Sequence, residues 1–335
     1  MPSVEGVPTT MTTVDIHTHM VSEAWLEELS MSGTYSVTDT ETGDRAVFKG
    51  NTAFMTLTPG MFDYDLRIRE MDAAGVDVSV VSLTCPNVLW GEMEASVRNA
   101  VAMNDQMADA QELYLGRIRF LASLPWQYPA QAVEELARAY ARGAVGVIAL
   151  ANIDGRALTD PFFSDIWSAI QSLGLPVLVH PTSPVGVEQM DMSAYHLVWS
   201  VGFTFDTTLA LARMIMDGFF DRYPSIKIIG SHGGGYLPFI ISRLDAGYRS
   251  FAQCRTRISR LPSSYLDQVY VDSIVYSAGA LALTVDVFGV DKVLFGTDYP
   301  HKNGNMAEIL AIVGELPRKQ RDQILGINAQ RIFNL

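Results

Sequence analysis

Cysteine is nearly missing from this 335-residue sequence: only Cys85 and Cys254 occur, far apart and outside any CxxC spacing. That argues against a disulfide framework and against a thiolate-ligated zinc module, and two reduced thiols suit a cytoplasmic protein. No run of 18 uninterrupted apolar residues is present, so no membrane-spanning helix is expected. The opening "MPSVEGVPTTM" lacks the basic and apolar regions of a secretory leader. Basic residues are also scarce: 24 Lys and Arg face 37 Asp and Glu, and the net charge of −13 is spread without a basic block. This argues against nucleic acid or an anionic membrane surface as the main partner and favours a small molecule. Low-complexity segments are absent as well. What is present is a 48% hydrophobic composition, enough for a large buried core in one domain spanning 1–335.

Short apolar, β-branched runs alternate with stretches of helical periodicity. The strand candidates are 12–17, 76–83, 118–125, 145–150, 176–180, 226–232, 269–275 and 293–298. Between them, "DLRIREMDAAG" and "AQAVEELARAYARG" read as helices stopped by Gly75 and Gly143. Further helices are expected at 92–115, 161–173, 204–221, 236–252 and 278–288, with two more closing the chain. Eight apolar strands separated by helices indicate a parallel sheet covered on both sides and match a (β/α)8 TIM barrel; a doubly wound open sheet is the rival, and polar residues gathered at the carboxyl ends of several strands favour the barrel. Two connections, 20–64 and 181–203, are long enough to be inserted lid segments after strands 1 and 5.

Six histidines are present, and "VDIHTHM" places two of them, His17 and His19, on one face of the first strand candidate. An HxH pair alone is a weak signal. Other strand candidates also end on polar residues, however: "PVLVHP" on His180, "IIGSHGGG" on His232 and "VLFGTDYP" on Asp298. A satisfied core histidine explains any one of these; packing alone does not readily explain five ionisable residues at four strand ends, which in a barrel share one rim. Imidazoles with a carboxylate suit one divalent ion, Zn²⁺ by default and Mn²⁺ as the alternative, with a position open for catalysis. Such an ion draws the pKa of bound water toward about 7. His232, ahead of three glycines, is the candidate acid–base, with a further metal ligand as its other role; Asp298 is a candidate ligand and proton shuttle.

The segments "DIHTH", "VLVHP", "SHGGG" and "GTDYP", in this order, resemble the amidohydrolase superfamily, specifically the aminocarboxymuconate semialdehyde decarboxylase family. "RIREMDAAGVDVSVVS" and "VYVDSIVYSAGAL" extend the resemblance over essentially the whole chain. The resemblance implies that His17, His19, His180 and Asp298 bind a divalent metal, that His232 activates metal-bound water, and that the reaction is nonoxidative release of CO2. It implies a homodimer in which Arg243 reaches the neighbouring site to bind substrate carboxylate; an outward helix position in a surface ion pair is the other reading of Arg243. Trp199 matches an aromatic residue of the substrate pocket, or else packs in the core.

Departures bear on substrate. Met55 stands where the muconate enzyme has a second carboxylate-binding arginine, and His301 where it has an aromatic residue; His301 either bonds a phenol or carboxylate or is a solvated loop histidine. Phe54, Met55, Met61 and Phe62 read as an apolar lid suited to an aromatic ring. The sister hydroxybenzoate decarboxylases commonly carry Glu-x-His in place of His17-x-His19. The expected activity is therefore decarboxylation of a small aromatic or unsaturated carboxylic acid. Hydrolysis of a lactone or amide, hydration of a double bond, and a metal-free scaffold are the alternatives.

Overall fold

The computed structural model describes residues 12–50, 52–184 and 186–335; the opening segment "MPSVEGVPTTM", expected not to be a secretory leader, lies outside them. The eight expected strands form one parallel sheet. They are β1 (Val14–Met20), β5 (Val78–Leu83), β6 (Ile118–Ser123), β7 (Gly146–Leu150), β10 (Val177–His180), β11 (Ile228–Gly230), β12 (Val269–Asp272) and β13 (Val293–Leu294), adjacent in that order. A bridge between Thr18 and Tyr299, with a 3.0 Å bond from the Ile16 N–H to the Phe295 carbonyl, brings the last strand back to the first. The TIM-barrel expectation is borne out.

Helices α2 (Tyr64–Ala74), α3 (Met93–Leu113), α4 (Pro129–Ala141), α5 (Ser164–Leu173), α6 (Thr204–Met216), α8 (Leu237–Ser250), α9 (Ala278–Phe288) and α10 (Met306–Gly314) alternate with the strands. Local sequence sets their ends. Asp63 caps α2 by accepting from the Leu66 N–H, and Gly75, at φ 79°, closes it in the left-handed conformation. The expected helix over 204–221 is broken at Gly218 (φ 69°), which starts the short α7 (Phe219–Arg222). A two-strand ribbon, β8 (Asn152–Ile153) and β9 (Arg156–Ala157), follows β7.

The barrel interior is filled by Val14, Ile16, Val80, Leu121, Ile148, Leu178, Ile229 and Leu294. The last helices, α11 (Arg318–Asp322) and α12 (Asn328–Phe333), follow one another across a π-helical turn, and Ala329, Ile332 and Phe333 of α12 join that interior cluster. A larger apolar layer lies between strands and helices.

The segment 20–64 is an ordered insertion. It holds α1 (Glu23–Met31) and an antiparallel sheet of β2 (Tyr35–Asp39), β3 (Arg45–Lys49) and β4 (Thr52–Thr56). Its own core gathers Val21, Trp25, Leu29, Val47 and Met61. Among the described residues, no helix is long and apolar enough to cross a membrane.

Candidate active site

The strands that carry the site bring buried polar side chains to the carboxyl rim. β1 delivers His17 and His19, β10 ends on His180, and β12 ends on Asp272. His232 and Asp298 follow the last hydrogen-bonded residues of β11 and β13, and both leave the strand path with positive φ, 53° and 60°. Non-glycine residues held there are strained, and such strain concentrates at functional sites.

Ligand atoms of His17, His19, His180 and Asp298, all buried, lie within 4.8 Å of one another, a grouping able to hold a metal ion. His17 Nε2 is 3.1 Å from His19 Nε2, and Asp298 Oδ1 is 3.2 Å from His19 Nε2 and 3.6 Å from His17 Nε2. The far side of each imidazole is engaged. His17 Nδ1 donates to Asp272 Oδ2 at 2.7 Å, His180 Nδ1 donates to the Pro181 carbonyl at 2.8 Å, and His19 Nδ1 meets Ser82 Oγ at 3.1 Å. Those bonds leave Nε2 of His17 and His180 as lone pairs aimed into the group. Asp298 Oδ1 is buried without a hydrogen-bond partner. Converging lone pairs and an unpartnered carboxylate oxygen fit a divalent cation, and without one they repel each other.

Burial holds His19 down to about 3 and His180 well below its ordinary value, so both imidazoles are neutral at physiological pH. Burial opposes ionisation of Asp298, but the neighbouring His301, His19 and His232 hold its carboxyl well below the usual range. Burial acts against the charged form of His17, yet the bond to Asp272 raises it overall. Neutral His19 and His180 beside an ionised Asp298 are protonation states that metal binding requires, and a cation would have to displace the proton that the Asp272 bond favours on His17.

His232 stands beside the group, its Nε2 3.7 Å from Asp298 Oδ2. Both its ring nitrogens are buried and unpartnered. Asp298 Oδ2 also accepts from Asn303 Nδ2 at 3.1 Å, and that amide reaches the Tyr276 hydroxyl at 3.1 Å.

A cavity of about 1170 Å³ opens over this rim. Phe54, Met55, Trp199 and His301 line it, together with His180, His232 and Asp298. His301 is anchored through Nε2 to Thr84 Oγ1 at 3.1 Å, and burial lowers its pKa. Trp199 packs edge-on against Tyr276 at 5.9 Å. Met61 and Phe62 do not line the cavity: Met61 is fully buried in the core of the insertion and Phe62 packs against that core, correcting the expectation that both belong to the lid. Arg243 is exposed on α8 and is not among the residues lining this cavity. Lys302 is at the surface, bonded to Asp44. Sequence reasoning passed over Asp272, Asn303, Ser82 and Thr84. Asp272 carried the same signal as the others, a polar residue after Val-Tyr-Val.

A closed parallel barrel with a histidine–carboxylate group at its carboxyl rim defines a class of enzymes that assemble one metal-centred site from several strand ends. Residues 14–335 match the family model described as amidohydrolase, and the chain belongs to that family. It is 30% identical over 331 residues to the 2-amino-3-carboxymuconate-6-semialdehyde decarboxylase of Dictyostelium discoideum, covering 96% of this chain and 91% of that protein. It is 26% identical to the gamma-resorcylate decarboxylase of Polaromonas sp. strain JS666, over 81% and 87% of the two chains. The solved structure of 5-carboxyvanillate decarboxylase from Sphingomonas paucimobilis superposes with a TM-score of 0.83 at 26% identity, covering 97% of this chain and all of that one. The family resemblance read from the sequence is borne out.

Proposed function

We propose that this chain is a metal-dependent, nonoxidative decarboxylase of a small aromatic or unsaturated carboxylic acid. The observation that carries the reading is the pairing of a metal-fit donor group with an unpartnered, buried His232 in one cavity. Decarboxylase names on the three relatives support it. His17, His19, His180 and Asp298 hold the cation, Zn²⁺ or else Mn²⁺. When bound, that cation supplies Lewis acidity toward the oxygens of an acid substrate.

The residues of the chain do the rest. In the reaction the bond from ring or vinyl carbon to carboxyl carbon breaks, CO2 leaves, the bonding electron pair stays on carbon, and a proton takes the vacated position. His232 holds that proton at a ring nitrogen in reach of Asp298 Oδ2, which exchanges it. A buried nitrogen without a partner costs about 1–3 kcal/mol. That cost fits a site whose partner arrives with substrate. Phe54, Met55 and Trp199 pack against a planar ring, and His301 bonds its hydroxyl or carboxylate. Arg243 serves the cavity of a second copy in a homodimer.

The test is a panel of hydroxylated aromatic and unsaturated acids incubated with Zn²⁺- or Mn²⁺-loaded protein, with CO2 and the ring-protonated product both measured. CO2 release is expected, abolished by chelation and restored by the metal. His232→Ala is expected to lower kcat at least about 100-fold without unfolding the barrel. Hydrolysis products without CO2, or wild-type turnover in His232→Ala, would overturn the reading.

A further inference from the structure

Asp272 is fully buried at the end of β12 and accepts four hydrogen bonds through one carboxylate. Oδ2 accepts from His17 Nδ1 at 2.7 Å and from the His232 N–H at 2.9 Å. Oδ1 accepts from the Gly233 N–H at 2.9 Å and the Ile274 N–H at 3.0 Å. The consecutive N–H groups of His232 and Gly233 converge on it because both residues are left-handed, at φ 53° and 64°. The approach to His17 needs Gly296: a Cβ there would come within 2.9 Å of His17 Cβ and 3.1 Å of Asp272 Cβ.

We propose that Asp272 is a positioning residue shared by the two halves of the site: it fixes His17 with its Nε2 lone pair toward the cation and holds the turn that aims His232. The inference rests on the metal and acid–base roles proposed above. An amide cannot replace this carboxylate. In Asp272→Asn one oxygen becomes a donor. At the Oδ1 position it would face two main-chain N–H groups, which cannot change their hydrogens. At the Oδ2 position it would face the single His232 N–H and His17, whose ring can move its proton from Nδ1 to Nε2. The second arrangement conflicts less, and it removes the His17 lone pair from the metal group.

The test uses the full chain stripped of metal. Zn²⁺ alone is titrated against a competing chromophoric chelator in wild type and Asp272→Asn, and the His17 tautomer is read from imidazole ¹⁵N shifts at a pH alkaline enough to hold the ring neutral. Expected are a wild-type His17 protonated at Nδ1, a variant protonated at Nε2, and Zn²⁺ affinity lowered about 10- to 100-fold in the variant. A purely structural role would lower thermal stability without inverting the tautomer. Wild-type His17 protonated at Nε2 overturns the proposal even if the variant fails to fold, as does a variant whose affinity stays within about twofold of wild type. Failure of the wild type to bind Zn²⁺ overturns the parent reading with it, so the two failures are distinguishable.

Discussion

Asp298 divides its two oxygens between two tasks. Oδ1 faces His17 and His19, whereas Oδ2 faces His232 and accepts from Asn303. Asp298 itself is held at φ 60°, a conformation costing on the order of 1–3 kcal/mol. A second buried acid lies away from the metal group. Asp206, 4% exposed, accepts from the Thr182 N–H at 3.0 Å and from Asn152 at 3.0 and 3.1 Å. Burial raises its carboxyl to about 6 despite those bonds, from an ordinary 3.8. The folded state thus binds this proton more tightly than the unfolded chain, so Asp206 favours folding most below 3.8, and that contribution is lost as pH rises to about 6. Asp206→Asn removes the dependence. Urea unfolding at pH 4.5 and 7 is expected to show the variant gaining on wild type with rising pH, by on the order of 2 kcal/mol. A difference that stays constant across the window would rule this out, whatever the variant's absolute stability.

Parallel strands buried on both faces appear in sequence as apolar runs, which is why all eight barrel strands were legible. The rim residues were legible for a related reason: His180, His232 and Asp298 each interrupt such a run. Asp272 escaped because "VYVDSIV" resumes its apolar character after it, so the strand seemed to continue to Val275, whereas the structure ends β12 at Asp272. The insertion was harder still. β2 and β3 are five-residue strands with exposed polar positions, and their pairing partners lie across turns with no helical spacing to separate them. Inward packing of Met61 against Trp25 and Val47 depends on that sheet and has no local signal. α12 shows what the rim elements rest on. Ile332 is 4% exposed and packs with Val14, Ile16 and Leu178 inside the barrel, remote in sequence from every site residue. Ile332→Ala is expected to lower the unfolding free energy by about 2–4 kcal/mol through the cavity it leaves. Zn²⁺ affinity should be unchanged, since no rim contact is lost. Urea titration and chelator competition check both halves, and a large loss of affinity would show that the bottom of the barrel controls its rim.

On the scale of the whole molecule, no arginine is among the described residues that line the cavity. Its lining includes Asp39, Glu41 and Asp44 from the β2–β3 turn region, against Lys302, which is bonded to Asp44. An anionic substrate entering it gains little from this chain beyond the metal group and the histidines. Arg243 is exposed on α8 one turn after Phe239, itself 82% exposed. Phe239 lines a smaller apolar cavity beside His232 with Trp199, Tyr276 and Leu283. Large apolar side chains left in water around a functional cavity suit a face covered by another copy, and a two-fold pair would give each cavity the other's arginine. Subunit mixing decides this. Arg243→Ala and His232→Ala homodimers are each expected to be inactive. After unfolding and refolding together in equal amounts, half the dimers carry one of each chain. In each mixed dimer one site has an intact His232 with an intact Arg243 from its neighbour, so about a quarter of wild-type activity per subunit should return. If Arg243 served its own chain, both sites of every mixed dimer would be defective and no activity would appear; if it served none, Arg243→Ala would be active before mixing.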